Sequence, residues 1–396
     1  MKVKRERPVK IKRYRRSFSG AGDRNNLLRT VVRWLIVAAV LFGVGWLIAK
    51  PGLDLASRLW YAHRNAAASS AAQPLSQPPA AESGSDAPSS PSDSAAAPAQ
   101  DAAAAGTGWA SVALSQADTP EKAAALAAQL KEQGVQYAVL TLKDERGYVY
   151  YASAVPQARN SIASTTIDAA AVAKAFTDAG VTPVAAISAF RDAIAPYTDR
   201  SMAVKYGTEG DIIWLDSSAE LGGKPWLNPN SAAAQQYVAD LLTELRNLGF
   251  STVLVRNLQF PQGYSLNVTN YGAMTGTQDQ LLTSLGKRYE ATEGLQVWFE
   301  FPSQAIAGTD LTGYGASPAG FGLSRVVVAA AGTAAAADAP AAAPDEGTLS
   351  SLLAALQQGG TQSVSLHLTG VTDAAALTAA AETAQRLGYA GFFTVP

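Results

Sequence analysis

The chain has 396 residues, 48% of them hydrophobic and 16% charged, with no cysteine, two histidines and a formal net charge of −1. This composition excludes a wholly disordered or collagen-like chain. The missing cysteine excludes disulfides, thiolate zinc sites, iron–sulfur clusters and cysteine nucleophiles. His63 and His367 are too few and too far apart for a multi-histidine metal site, so neither metal nor cofactor is expected.

The near-zero net charge conceals a division. Residues 1–33 carry twelve Lys and Arg against Glu6 and Asp23, a net +10, while the other 363 residues sum to −11. Trp34 to Ala49 is uncharged. Counted from Val31, with Arg33 inside it, the stretch reaches nineteen positions, near the ~20 that cross a bilayer. A cleaved signal peptide has a short basic region and an apolar run of about 7–15 residues. The long basic segment, and the lack of a small-residue cleavage site after Ala49, favour an uncleaved transmembrane helix over 31–49. Positive charge stays inside, so the tail (1–30) is expected in the cytoplasm and the rest outside. Topology and anionic lipid account for the basic arm, and no nucleic-acid partner is expected. Residues 50–64 read as a juxtamembrane segment. Residues 65–107, chiefly Ala, Ser, Pro, Gln and Asp, read as a disordered linker.

From 108 to 396 short apolar runs alternate with helical patterns. The expected strands are Ser111–Leu114, Tyr137–Leu142, Pro183–Ile187, Thr252–Val255, Gln296–Phe301, Arg325–Ala329, Ser363–Leu368 and Gly391–Val395. The expected helices are Pro120–Gln133, Asp168–Ala179, Ala232–Leu248, Gln278–Ala291, Leu349–Gln357 and Asp373–Leu387. Gly134, Gly180, Gly249 and Gly388 stand where helix C-caps want glycine, and Asp118 or Thr119 before Pro120 suits an N-cap. Alternation of this kind predicts a parallel sheet. Eight strands in 289 residues fit an α/β (β/α)8 TIM barrel, typically of about 250; a doubly wound open sheet is the second choice. The nearly all-Ala/Pro stretch Ala329–Pro344 is expected to be a disordered insertion. Neither glycine-rich nucleotide motif follows any strand.

In such a barrel functional residues gather at the C-terminal strand ends. Those positions hold Lys143–Asp144, Phe190–Arg191–Asp192, Arg256–Asn257, Glu300 and His367. Carboxylates at several strand ends point to glycoside hydrolysis, which needs one carboxylic acid and a second carboxylate as nucleophile or base. The chain resembles the glycoside hydrolase domain family of the DUF4015 type, found in bacterial cell-envelope proteins, best over about Gly134 to Gly263. Its K-D-x-x-G is matched by Lys143-Asp144-Glu145-Arg146-Gly147, its F-[KR]-D by Phe190-Arg191-Asp192, and its W-x-[DN]-P by Trp226-Leu227-Asn228-Pro229. A motif like F-D-Y-I-R-F-P falls on Val255-Arg256-Asn257-Leu258-Gln259-Phe260-Pro261. The resemblance implies a glycosidase-like barrel, but the family's catalytic Asp falls on Arg256, its Tyr on Asn257 and its Arg on Gln259. An arginine stays protonated and serves as neither nucleophile nor base.

The leading expectation is a membrane-anchored, catalytically degenerate glycosidase relative that binds or organises envelope polysaccharide. One alternative is an active glycosidase with a rearranged set, Asp144, Asp192 and Glu300. Another is a protein-interaction scaffold. Arg191, Trp214, Trp226, Asn257, Gln259, Tyr264 and His367 are the candidate substrate contacts, with Tyr271 a further loop aromatic. Structural readings stand beside them: Asp144 as the cap of a turn, Glu300 as the ion-pair partner of Arg256, His367 as a satisfied interior side chain, and Trp226 as loop packing.

Overall fold

The apolar runs form eight parallel strands: β1 (Gly108–Val112), β2 (Val135–Lys143), β3 (Thr182–Ser188), β4 (Thr252–Arg256), β5 (Gln296–Pro302), β6 (Arg325–Ala331), β7 (Ser363–Thr369) and β8 (Gly391–Thr394). Each pairs with the next in chain order. β1 pairs with both β2 and β8, so the sheet closes into a barrel. Closure excludes the open doubly wound sheet. The helices are α1 (Pro120–Glu132), α2 (Ala169–Asp178), α3 (Ala232–Asn247), α4 (Gln278–Glu290), α5 (Glu346–Gln358) and α6 (Ala374–Leu387).

This computed structural model describes residues 108–207, 211–333 and 341–394. The expected tail, anchor, juxtamembrane segment and linker lie outside the described residues, as do 334–340 of the expected insertion. Among the described residues no helix is long and apolar enough to cross a membrane. Two boundaries differ from the sequence reading. β1 starts at Gly108, because Trp109 is a barrel-interior residue. Ala329–Ala331, read as the start of the insertion, continue β6 and pair with β7 through Ala331 and Thr369.

Local signals explain the helix ends. Thr119 accepts a hydrogen bond from Lys122 N, with Pro120 in the first turn. Asp168, Asp345 and Asp373 cap α2, α5 and α6 in the same way. Gly134, Gly180, Gly249 and Gly388 all adopt positive φ. After β5 a four-residue helix, Ser303–Ile306, and a 3-10 turn, Pro318–Phe321, stand where a long helix would be.

Side chains alternate along each strand. Leu140, Val253, Phe299 and Leu366 point outward and pack with Phe176 of α2, Leu241 of α3 and Leu352 of α5. Burying each such side chain contributes about 1.5–3 kcal/mol. The other face fills the barrel with Trp109, Val139, Val184, Leu254, Trp298, Val327 and Phe393. Trp109 stacks on Tyr137 at 4.7 Å and on Phe393 at 5.6 Å, and meets Trp298 edge-on at 5.1 Å. Gly391 makes this possible, since a Cβ there would lie 2.1 Å from the Trp109 ring.

Two additions decorate the C-terminal face. Val149–Tyr151 folds back antiparallel on β2, with Ile162–Ile167 beside it. Lys205–Tyr206 pairs with Thr269–Asn270, stitching the loop after β3 to the loop after β4. Beneath that stitch Val204, Trp214 and Trp226 form a small core of their own.

Candidate functional site

The corner where β2 and β3 end is built around a buried ion pair. Lys143 Nζ lies 2.9 Å from Asp192 Oδ2, both side chains being fully enclosed. The same ammonium donates to Ser188 O at 2.7 Å. Asp192 Oδ1 accepts from Ile194 N and Ala195 N, each at 2.8 Å, starting the short helix Ala195–Thr198. A buried pair is tolerable only when its remaining capacity is met in this way. Gly147 closes over Asp192 with φ +94, where a Cβ would stand 2.2 Å from Oδ1. The K-D-x-x-G and F-R-D motifs therefore meet in space as one structural unit.

Asp144 holds the turn between them. Its Oδ1 accepts from Arg146 N and Tyr148 N, and its Oδ2 from Arg146 Nε and the Tyr150 hydroxyl, all at 2.9–3.0 Å. This is the turn-capping arrangement.

Across the mouth of the barrel lies a second polar cluster. Arg256, the last residue of β4, donates from Nε to Glu300 Oε2 at 3.1 Å and from Nη1 to Thr141 Oγ1 at 3.4 Å. His367 Nδ1, on β7, lies 3.1 Å from the same Oε2. Its ring stacks on Phe393 at 4.4 Å, continuing the aromatic column above Trp109. Burial pulls the Glu300 carboxyl upward, but the His367 contact and the Arg256 charge outweigh it and leave the group below its ordinary value. β4, β5 and β7 thus bring Arg256, Glu300 and His367 together. Asp144 and Asp192 serve the separate β2–β3 corner.

Asn257 adopts a left-handed φ of 54, a conformation asparagine tolerates, and donates to Ser188 Oγ at 3.0 Å. Gln259 is buried and accepts from the Tyr314 hydroxyl. Arg191 pairs with Glu145 and lies over the Trp226 ring at 5.6 Å. Trp214 and Trp226, expected as stacking surfaces, are buried, at 1% and 3% exposed. They anchor the loop core instead, with Trp226 Nε1 donating to Asp216 Oδ2 at 3.1 Å and Trp214 Nε1 to Ser265 O at 3.3 Å. Tyr264 is 68% exposed. Sequence reasoning missed Lys143 as the partner of Asp192, although the K-D motif contains it, and missed Thr141, which accepts from Arg256. Among the described residues no cluster of metal-ligating side chains occurs.

Residues 111–299 match the family model DUF4015, described as "Putative glycosyl hydrolase domain". That stretch is similar to the DUF4015 family over just under half of the chain. It contains β2, β3, β4, most of β5 and every motif quoted above. No curated protein matches the chain. Among solved structures, the glycoside hydrolase domain of PgaB (BpsB) from Bordetella bronchiseptica is similar at 14% identity. The match covers 73% of this chain and 93% of that one, with a TM-score of 0.53. The glycoside hydrolase domain of PelA from Pseudomonas aeruginosa matches at 15% identity over 73% and 94%, with a TM-score of 0.40. The PgaB likeness extends the barrel assignment beyond the family match.

Proposed function

We propose that this chain is a membrane-anchored, extracytoplasmic glycoside-hydrolase-like protein that binds envelope polysaccharide without cleaving it. The observation that carries the reading is the Arg256–Glu300 pair. A cation occupies the strand-four position where the family resemblance puts a carboxylate, and it engages the carboxylate best placed to act as an acid. A general acid needs its pKa raised, whereas Glu300 is held below its ordinary value. Asp144 and Asp192 supply no replacement, since turn amides, Arg146, Tyr150 and Lys143 engage their oxygens. The anchor over 31–49, the bilayer as its partner and the outward orientation rest on sequence hydropathy and on the +10 charge of residues 1–33.

Hydrolysis of a glycan panel by wild type and by Arg256→Asp tests the catalytic part. Retention of glycan without turnover in the wild type, with or without activity gained by the variant, supports the reading. Wild-type turnover abolished by Glu300→Gln overturns it. Membrane fractionation with protease protection tests the anchor; a full chain found in the soluble fraction removes that element.

A further inference from the structure

Beside the mouth a groove of about 420 Å³ runs between the turn after β2, the loop after β3 and the segment around Lys224. That size falls within the ~300–1,000 Å³ of ordinary ligand pockets. Arg256, Glu300 and His367 do not line it. Its walls carry two exposed rings, Tyr148 and Tyr197, at 40% and 58% exposure. They also carry the cations Arg146, Arg191 and Lys224.

The acceptors in these walls are largely taken. Asp144, behind Tyr148, receives four hydrogen bonds. Asp216 gives Oδ1 to Lys224 N and Oδ2 to Trp226 Nε1. Glu145 is tied to Arg191. Donors remain on the other side of the ledger. Arg191 uses only Nη1 on Glu145, Arg146 keeps Nη1, and Lys224 has no ion-pair partner among the described residues. A groove with spare donors and few spare acceptors suits a ligand rich in acceptors, and its rings suit the flat faces of sugars. The rings are also preset. The Asp144–Gly147 turn that precedes Tyr148 is buttressed by buried Asp192, and Tyr197 sits on the short helix whose first amide, Ala195 N, donates to Asp192.

We infer that this groove binds an acidic polysaccharide, with Arg146, Arg191 and Lys224 on sugar carboxylates and Tyr148 and Tyr197 against sugar rings. The inference rests on the glycan-binding reading above and adds to it a site outside the mouth and a ligand class. The test is calorimetric titration of the full chain in detergent with uronate oligosaccharides, a neutral glucan and polyphosphate, a polyanion without rings. Uronates bind, more weakly as salt rises. Tyr197→Ala and Tyr148→Ala each weaken them by roughly 5–10-fold, and Lys224→Gln and Arg191→Gln by roughly fivefold, with melting temperatures unchanged. Uronate binding untouched in Tyr197→Ala and Lys224→Gln overturns the assignment. So does polyphosphate binding as tightly as uronate with the tyrosines immaterial. Neutral glucan bound in preference to uronates sinks this groove while leaving glycan binding intact; no glycan bound at all sinks both.

Discussion

At the β2–β3 corner Lys143 and Asp192 meet with side chains 1% and 0% exposed, while Arg256 and Glu300 meet across the mouth at 18% and 12%. The first pair has further protein partners: a carbonyl for the ammonium and two amides for the carboxylate. The second shares one carboxylate oxygen between Arg256 and His367, and Glu300 Oε1 takes no hydrogen bond among the described residues. Ion pairs at the same end of one barrel thus differ in what they leave available. The corner sets the backbone of two loops. The mouth leaves Glu300 Oε1 and His367 Nε2 without a hydrogen-bond partner among the described residues.

Substitutions separate the two most sharply at the corner. Asp192→Ala leaves Lys143 buried without its counter-charge and should cost about 3–5 kcal/mol in denaturant unfolding; a loss no larger than that of a surface change would break the comparison. Arg256→Leu should cost less, about 1–3 kcal/mol, because Glu300 keeps its contact with His367 and some access to water. Glu300 sharpens the contrast through pH. Its folded pKa lies below the ordinary 4.5, so its contribution is in force above that pH and fades as the pH falls through the lower folded value. The stability gap between wild type and Glu300→Gln should therefore shrink on acidification, which a pH series of melts would reveal; a gap that widens contradicts the assigned direction. Smallest of all, Tyr264→Ser should change stability by no more than about 0.5 kcal/mol, since the ring is exposed and only its backbone N is engaged, with Asp216 O.

The barrel was legible because its signals are local. Val-rich runs such as Val326–Val328, glycines past the helices and capping Thr and Asp residues each act within a few residues of where they stand. The mouth was legible in part: the strand ends named Arg256 and Glu300 as neighbours, and alternation along β7 put His367 inside. What escaped depends on partners distant in sequence. A carboxylate caps a turn or acts on a substrate according to who donates to it, and the donors to Asp192 include Lys143, 49 positions upstream. Trp214 looked like a binding platform because loop residues are usually outside. The strand pairing that gives this loop its own core is only two residues long on each side. The Val149–Tyr151 fold-back is too short to stand out from a loop.

The tryptophan column inside the barrel has a consequence for how any long polymer can be handled. With Trp109 braced between Tyr137 and Phe393, and Trp298 against its edge, the cylinder is a cup with a floor rather than a tube. A polymer cannot thread through the barrel, so any contact with one is confined to its rim and loops.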